Sequence, residues 1–231
     1  MSRNALNVGT GSGISASFAR ALRKDGYQIA LAARDAGKLA ALAKDTGAHV
    51  IAADATQADS VAQLFAEVDR TLGDLDVVLY NASYRTRGPF LDLDPKEVAK
   101  TIEVSAFGGF LVGQRAAGRM VKRGGGAIFF PGASASGKGY AKSARFTMGR
   151  FALRGLAQSM ARELQGKGIH VAHFVIDGGV RNAARGRPGD AASPDALLDP
   201  DAIADTYMAT LKQPRSAWSL EVELRPWVER F

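Results

Sequence analysis

Cysteine is absent from the 231-residue sequence, which excludes disulfide bonds and thiolate chemistry. No apolar run approaches the roughly 20 residues that a bilayer-spanning helix needs. The chain passes from Met1-Ser2-Arg3 directly into an apolar stretch, which leaves no room for a signal peptide. A cytoplasmic protein without a membrane partner is therefore expected.

Histidine is scarce as well, with three residues in the chain. His49, His170 and His173 all fall on predicted strands, and their spacing matches no metal site. Because side chains alternate along a strand, His170 and His173 are predicted to face opposite sides of the sheet and to share no metal. We interpret them as packed strand residues. Trp218 and Trp227 are interpreted as packing or oligomer-interface residues.

Acidic residues are fewer than basic ones, 23 against 30, and the formal net charge is +7. The excess positive charge does not predict nucleic-acid binding, because the basic groups are dispersed and no aromatic residues are interleaved with them. One helix carries Arg115, Arg119, Lys122 and Arg123, and one loop carries Arg181, Arg185 and Arg187. Solvated faces are the favoured interpretation, with attraction of a phosphorylated cofactor as a second contribution.

The hydrophobic fraction of 46% and the charged fraction of 23% are typical of a globular protein, and the length fits a single domain over residues 1–231. Short apolar runs alternate with helical patterns, which predicts parallel strands joined by helical crossovers. The expected fold class is α/β, a three-layer doubly wound parallel sheet. Strands are predicted at Ala5–Val8, Gln28–Ala33, His49–Ala53, Asp76–Asn81, Ala127–Pro131, His170–Ile176 and Leu220–Leu224. Helices are predicted at Ala16–Lys24, Ala36–Thr46, Ser60–Leu72, Pro95–Lys122, Phe146–Gly166 and Asp199–Leu211.

The segment at about 181–200 interrupts this alternation, because it is rich in Ala, Gly, Arg, Asp and Pro. It follows a predicted strand end, where open α/β sheets bind their ligands. Two interpretations remain open, a mobile substrate lid and a disordered loop.

A glycine-rich turn, Gly9-Thr10-Gly11-Ser12-Gly13-Ile14-Ser15, lies between the first predicted strand and the first predicted helix. Glycines let the backbone approach a pyrophosphate closely, and the free N–H groups at the start of a helix stabilise its charge. A strand before the turn and a helix after it are the context that such a motif requires. The turn predicts a nucleotide site, with a tight turn that binds no ligand as the alternative.

Arg34 and Asp35 follow the second predicted strand, about 20 residues beyond the glycine turn, where the adenosine ribose of a dinucleotide would lie. An arginine can bind a ribose 2′-phosphate with two hydrogen bonds, whereas an acid favours the free 2′-hydroxyl of NAD. Arg34 therefore predicts NADP, and Asp35 leaves NAD as the less favoured alternative.

The glycine turn resembles that of the classical short-chain dehydrogenase/reductase family, whose members carry Thr-Gly-x-x-x-Gly-Ile-Gly. Val8 stands for the threonine and Ser15 for the last glycine, and the Ser15 hydroxyl is expected to add a phosphate hydrogen bond. Asp54 resembles the family aspartate beside the adenine, and Tyr80-Asn81-Ala82-Ser83 is similar to Asn-Asn-Ala-Gly. The stretch 155–172 is similar to the family's long helix and sixth strand, so the resemblance covers nearly the whole chain.

The resemblance implies a Rossmann fold, a small-molecule substrate and a homodimer or homotetramer formed through the two longest predicted helices. It also assigns residues to cofactor binding. These are Gly9, Gly11, Ser12, Gly13, Ile14, Arg34, Asp54, Ala55, Asn81, Ala82, Arg150 and Gly178.

The family's catalytic Tyr-x-x-x-Lys pair aligns with Phe146 and Arg150. Phenylalanine has no proton to donate, and an arginine with a pKa above about 12 cannot relay one. Arg150 can still hydrogen-bond a ribose. The resemblance therefore implies a cofactor site that is retained and an acid/base group that is lost.

The other catalytic positions also depart from the family pattern. The serine that orients a carbonyl aligns with Ala133, with Ser134 adjacent and Ser136 further on, so a one-residue shift makes Ser134 the candidate. Ser105 stands at the position of the asparagine that holds a relay water. Asp177-Gly178 replaces Pro-Gly after the sixth strand.

Two residues are candidates for the missing acid. Tyr140 lies near Lys138 and Lys142, which can lower a phenol pKa, although a surface role is favoured because no lysine follows four positions later. Asp177 follows a strand end, with helix capping or a loop hydrogen bond as its alternative role.

Two functions follow from these patterns. The favoured one is an NADP-binding oxidoreductase that transfers hydride to or from a carbonyl or an activated alkene. The alternative is a non-catalytic NADP-binding module, either a redox sensor or a partner subunit of an oligomer. The sequence names no substrate, and no metal is expected.

Overall fold

A single parallel sheet forms the centre of the protein. The computed structural model describes residues 3–190 and 192–229, and within them the strand order is β3-β2-β1-β4-β5-β6-β7. All paired strands run parallel. The strands are β1 (Arg3–Val8), β2 (Tyr27–Ala33), β3 (His49–Ala52), β4 (Val77–Tyr80), β5 (Gly126–Pro131), β6 (Ile169–Ile176) and β7 (Glu221–Leu224).

Helices cover both faces of this sheet, because each face buries its own apolar cluster. Leu64, Val112 and Leu153 belong to one cluster, and Phe18 and Tyr207 belong to the other. The helices are α1 (Ile14–Lys24), α2 (Ala40–Thr46), α3 (Ala58–Thr71), α4 (Pro95–Ile102), α5 (Gly108–Arg123), α6 (Ala144–Leu164) and α7 (Pro200–Leu211). This three-layer architecture confirms the predicted doubly wound α/β fold and its single domain.

The strand order reverses direction between β1 and β4, which lie next to each other at the centre of the sheet. Ligands of open α/β sheets bind outside the carboxyl ends of the strands at such a switch point. The loops that follow β1, β2, β4, β5 and β6 all leave from this edge. It will be called the carboxyl edge, and the opposite one the amino edge.

The prediction of one uninterrupted helix over Pro95–Lys122 is wrong. A π-helical turn, Glu103–Phe107, separates α4 from α5. The hydroxyl of Tyr80 donates a hydrogen bond of 2.5 Å to the carbonyl oxygen of Val104. The bond therefore reaches a carbonyl inside the widened turn, where side-chain groups commonly enter the hydrogen-bond ladder of a helix.

Short 3-10 turns account for two of the other differences between the predicted and observed helix boundaries. Residues Ala36–Leu39 form such a turn before α2, and Gln165–Lys167 form another after α6. The predicted lid contains a third, Ala183–Arg185, and it is tied down by backbone bridges between Val180 and Leu198 and between Asn182 and Arg187.

Helix composition bears on membrane attachment. Across residues 3–190 and 192–229, no helix is both long and apolar enough to cross a bilayer.

Candidate functional site

The glycine turn packs directly against the end of β4. Gly9 has a φ of +74°, and a Cβ atom on this residue would overlap the backbone nitrogen and Cα of Ala82. The Gly9 and Thr10 amides both donate to the carbonyl of Ala32, each at 3.0 Å. Only glycine allows this close approach, so the turn has the backbone shape that a phosphate cradle needs.

The start of α1 is free of competing anions. Gly13 caps the helix without a side-chain hydrogen bond, and the first turn contains no acid. The N–H groups and the positive end of the helix dipole are therefore available to an anion. The predicted residues Gly11, Ser12, Gly13 and Ile14 all belong to this end of the helix.

The loop after β6 lies over the same turn. Ser12 Oγ donates to Asn182 Oδ1 at 3.2 Å, and a Cβ atom on Gly13 would lie 2.9 Å from Asn182 Nδ2. Arg185 Nη2 lies 3.7 Å from the corresponding point at Gly11. No motif or spacing in the sequence indicates Asn182, which lies far along the chain from the glycine turn.

Ser15 has a structural partner rather than the predicted phosphate contact. Its side chain is buried, and its hydroxyl oxygen accepts a hydrogen bond of 2.7 Å from Asn81 Nδ2. Asn81 also donates its backbone N–H to the carbonyl of Val8 at 2.8 Å. Asn81 and Ser15 together join β4 to the glycine turn, and the expectation of a Ser15–phosphate hydrogen bond is corrected.

Arg34 and Asp35, at the end of β2, differ in their surroundings. The Asp35 carboxylate pairs with Lys38 at 2.9 Å, and this hydrogen bond lowers the pKa of Asp35. Arg34 is exposed and makes no ion pair with any described residue. The arginine is therefore available for a ligand, whereas the acid already has a cation beside it.

Asp54 follows β3 and shapes its own loop. Its Oδ1 accepts hydrogen bonds from the Thr56 backbone N–H at 3.0 Å and the Thr56 hydroxyl at 2.8 Å, while its backbone N–H donates to Ser60 Oγ. The second carboxylate oxygen has no hydrogen bond within the described chain. Ala55 is buried, and its carbonyl lies against Gly108 at the start of α5.

Phe146 and Arg150 lie one turn apart on α6, and both are buried. The Arg150 guanidinium carbon lies 5.2 Å from the centre of the Phe146 ring. A second cation, Arg85 in the loop after β4, lies 5.0 Å from the same ring. Both distances fall within the range of a cation–π interaction.

The Arg150 side chain is only 7% exposed, and no carboxylate of the described residues pairs with it. Its Nη1 donates to the carbonyl of Pro131 at 2.8 Å, whereas its Nε has no hydrogen-bond partner. Burial is the main reason why the pKa of Arg150 falls to about 10; Tyr80 and Tyr207 act in the opposite sense, and Arg85 adds a smaller lowering. The group is still a cation at neutral pH, and a buried cation without an acid stabilises an anion or a polar ligand near it.

The serines after β5 have different roles. Ser136 is fully buried and its Oγ accepts the backbone N–H of Ala133 at 3.1 Å. Ser134 is half-buried, and its hydroxyl has no hydrogen-bond partner in the part of the chain that the structure describes. Of the two, only Ser134 has a hydroxyl that is free to orient a substrate carbonyl.

Ser105 lies inside the π-helical turn and is completely buried. Its hydroxyl has no hydrogen-bond partner, and a Cβ atom on Gly149 of α6 would lie 3.0 Å from the Ser105 Cβ. The small side chains at 105 and 149 allow α6 to pack closely against the turn.

Tyr140 and Asp177, the two candidates for the missing acid, lie in different environments. Tyr140 is 43% exposed, and its ring lies 5.7 Å from Lys138 Nζ. Asp177 is buried and forms an ion pair of 2.7 Å with Arg225, which matches its alternative role as a structural group. The next residue, Gly178, has a φ of +153° and packs against Pro226, so a side chain there would be strained.

The histidines on β6 pack into the sheet on opposite faces. His170 Nε2 lies 2.9 Å from the carbonyl of Ser219, and its ring stacks on Trp218 at a centroid distance of 4.7 Å. His173 is fully buried, and this burial lowers its pKa to about 4. Among the described residues, no group of three His, Cys, Asp or Glu side chains is placed to bind a metal ion.

Arg85 was not singled out in the sequence. The sequence shows that Arg85 follows Asn81 by four residues, in a loop that leaves the carboxyl edge, and no motif marks it. The contact with Phe146 depends on how this loop folds back over α6, which periodicity and motif spacing do not predict.

Comparisons with known proteins agree with this arrangement of a nucleotide cradle on a doubly wound sheet. Residues 3–186 match the family model described as short chain dehydrogenase. The chain therefore belongs to the short-chain dehydrogenase family and is an oxidoreductase of that type.

Individual relatives support the same assignment. A short-chain dehydrogenase/reductase from Armillaria gallica is 32% identical over 182 residues, which are 75% of this chain and 69% of the relative. The crystal structure of a short-chain dehydrogenase from Rhodopseudomonas palustris is 32% identical, with a TM-score of 0.84 and coverage of 97% of this chain and 99% of the other. An alcohol dehydrogenase from Thermococcus sibiricus, complexed with 5-hydroxy-NADP, is 25% identical, with a TM-score of 0.86 and coverage of 100% and 99%.

Proposed function

We propose that the protein is an NADP(H)-dependent oxidoreductase that transfers hydride to or from a carbonyl or an activated alkene. The observation that carries this proposal is that two groups able to bind phosphate occur together. The start of α1 at Gly13 has no side-chain cap, and Arg34 at the end of β2 makes no ion pair with a described residue. The first suits a pyrophosphate and the second a ribose 2′-phosphate.

The preference for NADP over NAD rests on the contrast between Arg34 and Asp35. An NAD-type acid must accept hydrogen bonds from the ribose hydroxyls, but the Asp35 carboxylate already binds Lys38 at 2.9 Å. Arg34 has no acid to compete with a phosphate. The Thermococcus sibiricus relative, which is complexed with 5-hydroxy-NADP, supports the same choice.

The residues at the carboxyl edge fit such a cofactor. Residues 9–14 would hold the pyrophosphate, the free Asp54 oxygen would accept the adenine amine, and Ala55, Asn81 and Ala82 would line the adenosine side. Gly178 would approach the nicotinamide side and Arg150 the nearby ribose. When bound, the cofactor supplies or accepts the hydride.

The chain's own contribution to catalysis would differ from that of a phenol-containing site. The Ser134 hydroxyl would donate to the substrate oxygen, and the buried cation of Arg150 would stabilise the negative charge that develops there. Water would supply the proton, because Phe146 has none. Since general acid catalysis contributes roughly 10²–10⁴-fold, ordinary ketones should react slowly and activated alkenes or quinones faster.

A non-catalytic NADP-binding module is the second candidate function. It is favoured by the absence of an unengaged acid beside Phe146, since Asp177 pairs with Arg225 at 2.7 Å. In such a module the bound dinucleotide would alter partner binding rather than react.

The two candidates are separated by following NADPH oxidation with a panel of ketones, quinones and enones. If the protein is an enzyme, it should turn over at least one quinone or enone. The rate of ketone reduction should rise by about 10²-fold in the double variant Phe146→Tyr, Arg150→Lys. Tyr140→Phe is the matched control, since an exposed phenol should not affect the rate. Cofactor binding without any turnover in either protein would favour the module, and loss of turnover in Tyr140→Phe would make Tyr140 the acid.

Assembly into a homodimer or homotetramer is part of the proposal. Apolar side chains remain exposed on and beside α5 and α6, and the Phe107 and Phe110 rings stack there at 6.1 Å. Met148 and Phe151 extend this surface along α6. Light scattering after size-exclusion chromatography should give a molar mass that is two or four times 24.4 kDa. The substitution Phe110→Glu should reduce this mass.

A further inference from the structure

We propose that the substrate carries an anionic group, a carboxylate or a phosphate, and that Arg85 and Arg187 bind it beside Phe146. The inference rests on the proposed function and adds the class of substrate. It concerns a cluster of arginines, Arg85, Arg87 and Arg187, called here the arginine cluster.

The cluster is assembled from two loops that leave the carboxyl edge. Arg85 and Arg87 follow β4, and Arg187 lies in the loop after β6. The three side chains are close enough for Arg87 and Arg187 each to destabilise the charge of Arg85. The Arg85 guanidinium also lies 5.0 Å from the ring centre of Phe146, which places the cluster where the substrate would meet the cofactor.

No acid neutralises these charges. None of the three side chains makes an ion pair or a hydrogen bond with any residue in 3–190 or 192–229. Two acids at the same edge are already engaged, since Asp199 pairs with Arg181 and Asp177 with Arg225. The cluster therefore differs from an ordinary surface network, in which cations and carboxylates alternate.

Like charges held together without a counterion raise the free energy of the unliganded protein. Partial burial and the neighbouring Arg87 and Arg187 lower the pKa of Arg85, and the face of the Phe146 ring offsets only part of the repulsion. An anion placed among the three guanidinium groups removes the repulsion and gains charge-assisted hydrogen bonds. A carboxylate or a phosphate matches the fork of a guanidinium group, so these are the expected anions.

The cofactor's own phosphates have other partners in the proposed site. Arg34 lies at the end of β2, and Arg185 lies against the glycine turn, 3.7 Å from the Cβ position at Gly11. Arg187, two residues further along the same loop, bridges Asn182 through its backbone and is close enough to Arg85 to lower the pKa of that arginine. The loop after β6 would thus present one arginine to the cofactor and one to the substrate.

The test measures ligand binding by calorimetry to protein saturated with NADP⁺, so that it does not depend on turnover. Two charged probes, 4-carboxybenzaldehyde and 4-formylphenyl phosphate, are each compared with a neutral twin, methyl 4-formylbenzoate and 4-methoxybenzaldehyde. At least one charged probe should bind about tenfold or more tightly than its twin. Arg85→Gln and Arg187→Gln should each remove most of this preference.

The matched control is Arg23→Gln, since Arg23 is exposed, has no ion pair and lies at the end of α1 near the amino edge. It changes the net charge equally and should leave the preference intact. Equal binding of charged and neutral probes, or equal loss in the control, would overturn the inference. Charged-probe binding to the free protein that disappears on NADP⁺ saturation would also overturn it, because the cluster would then serve the cofactor. Failure of NADP⁺ itself to bind would instead contradict the proposed function.

Discussion

The amino and carboxyl edges of the sheet differ in how many of their described arginines pair with an acid. At the amino edge, Asp25 pairs with Arg3 and Lys212, and Asp76 pairs with Arg123 while accepting the Asn4 backbone N–H at 2.7 Å. At the carboxyl edge, no described acid pairs with any member of a larger group of arginines. These are Arg34, Arg85, Arg87, Arg145, Arg150, Arg185 and Arg187.

This difference distinguishes two functions of charged groups. Ion-paired groups stabilise the fold, whereas the arginines without an acidic partner are expected to bind a ligand. Paired groups at the amino edge are complete without any other molecule. Unpaired cations at the carboxyl edge cost stability through repulsion and desolvation, and such a cost is expected where a ligand supplies the missing charge.

The largest effect should come from Gly9→Ala at the carboxyl edge. The new Cβ would overlap Ala82, and the backbone would keep a φ of +74°. The free energy of unfolding should therefore fall by about 2–4 kcal/mol. Urea unfolding measures this change. Gly11→Ala is the control, because its Cβ would meet only Arg185 at 3.7 Å. Equal losses in both variants would show that the close packing of the turn is not the cause.

A smaller effect is expected from pH, through buried His173. The pKa of His173 is lowered to about 4, chiefly by desolvation; Glu221 acts in the opposite sense, and Arg154 and Arg150 contribute to the lowering. Because the unfolded histidine titrates near 6.5, its contribution is complete above that pH and is lost as pH falls toward 4, by about 3 kcal/mol in total.

Urea unfolding between pH 7 and pH 4.5 should therefore show a shallower loss for His173→Gln than for the native chain. His49→Gln, at an exposed position, should keep the native slope. An unchanged slope in His173→Gln would contradict the account of a neutral buried imidazole.

The contrast between the edges predicts opposite outcomes for one kind of substitution. Arg123→Gln removes the ion pair with Asp76 and should cost about 0.5–1 kcal/mol. Arg85→Gln removes an unpaired cation and should leave the free energy of unfolding unchanged, or raise it by a few tenths of a kcal/mol. Chemical denaturation of both variants makes the comparison. A cost at Arg85 as large as that at Arg123 would mean that both edges stabilise the fold in the same way.

The smallest effect should appear in thermal unfolding with inorganic phosphate. Phosphate should raise Tm by about 1–3 °C more than chloride at equal ionic strength, since only the native state holds the arginines together. The extra shift should shrink in Arg85→Gln and persist in Arg23→Gln. If all three proteins respond alike, general salt exclusion rather than binding at the carboxyl edge is responsible.

The alternation of strands and helices was sufficient to predict the sheet, because a parallel neighbour needs a long crossover and the chain supplies a helix each time. The glycine turn was equally readable, since Gly9 occupies a backbone conformation and a contact that other residues cannot adopt. Both depend on local patterns.

The parts that could not be predicted depend on contacts across the fold. The π-helical turn contains the carbonyl of Val104, which accepts a hydrogen bond from Tyr80, a residue distant in sequence. Ser15 was expected to face a phosphate, but its partner is Asn81. Arg85 joined the site only because its loop folds onto Phe146. No spacing in the sequence identifies any of these pairs.

The central claim is that the unpaired arginines at the carboxyl edge are there for phosphate-bearing and anionic ligands. Fluorescence titration with NADPH and NADH tests it most directly in the native chain, Arg34→Gln and the control Arg23→Gln. The native chain and the control should bind NADPH about tenfold or more tightly than NADH, and Arg34→Gln should bind both equally. Equal or tighter binding of NADH by the native chain, or binding of neither, would contradict the claim.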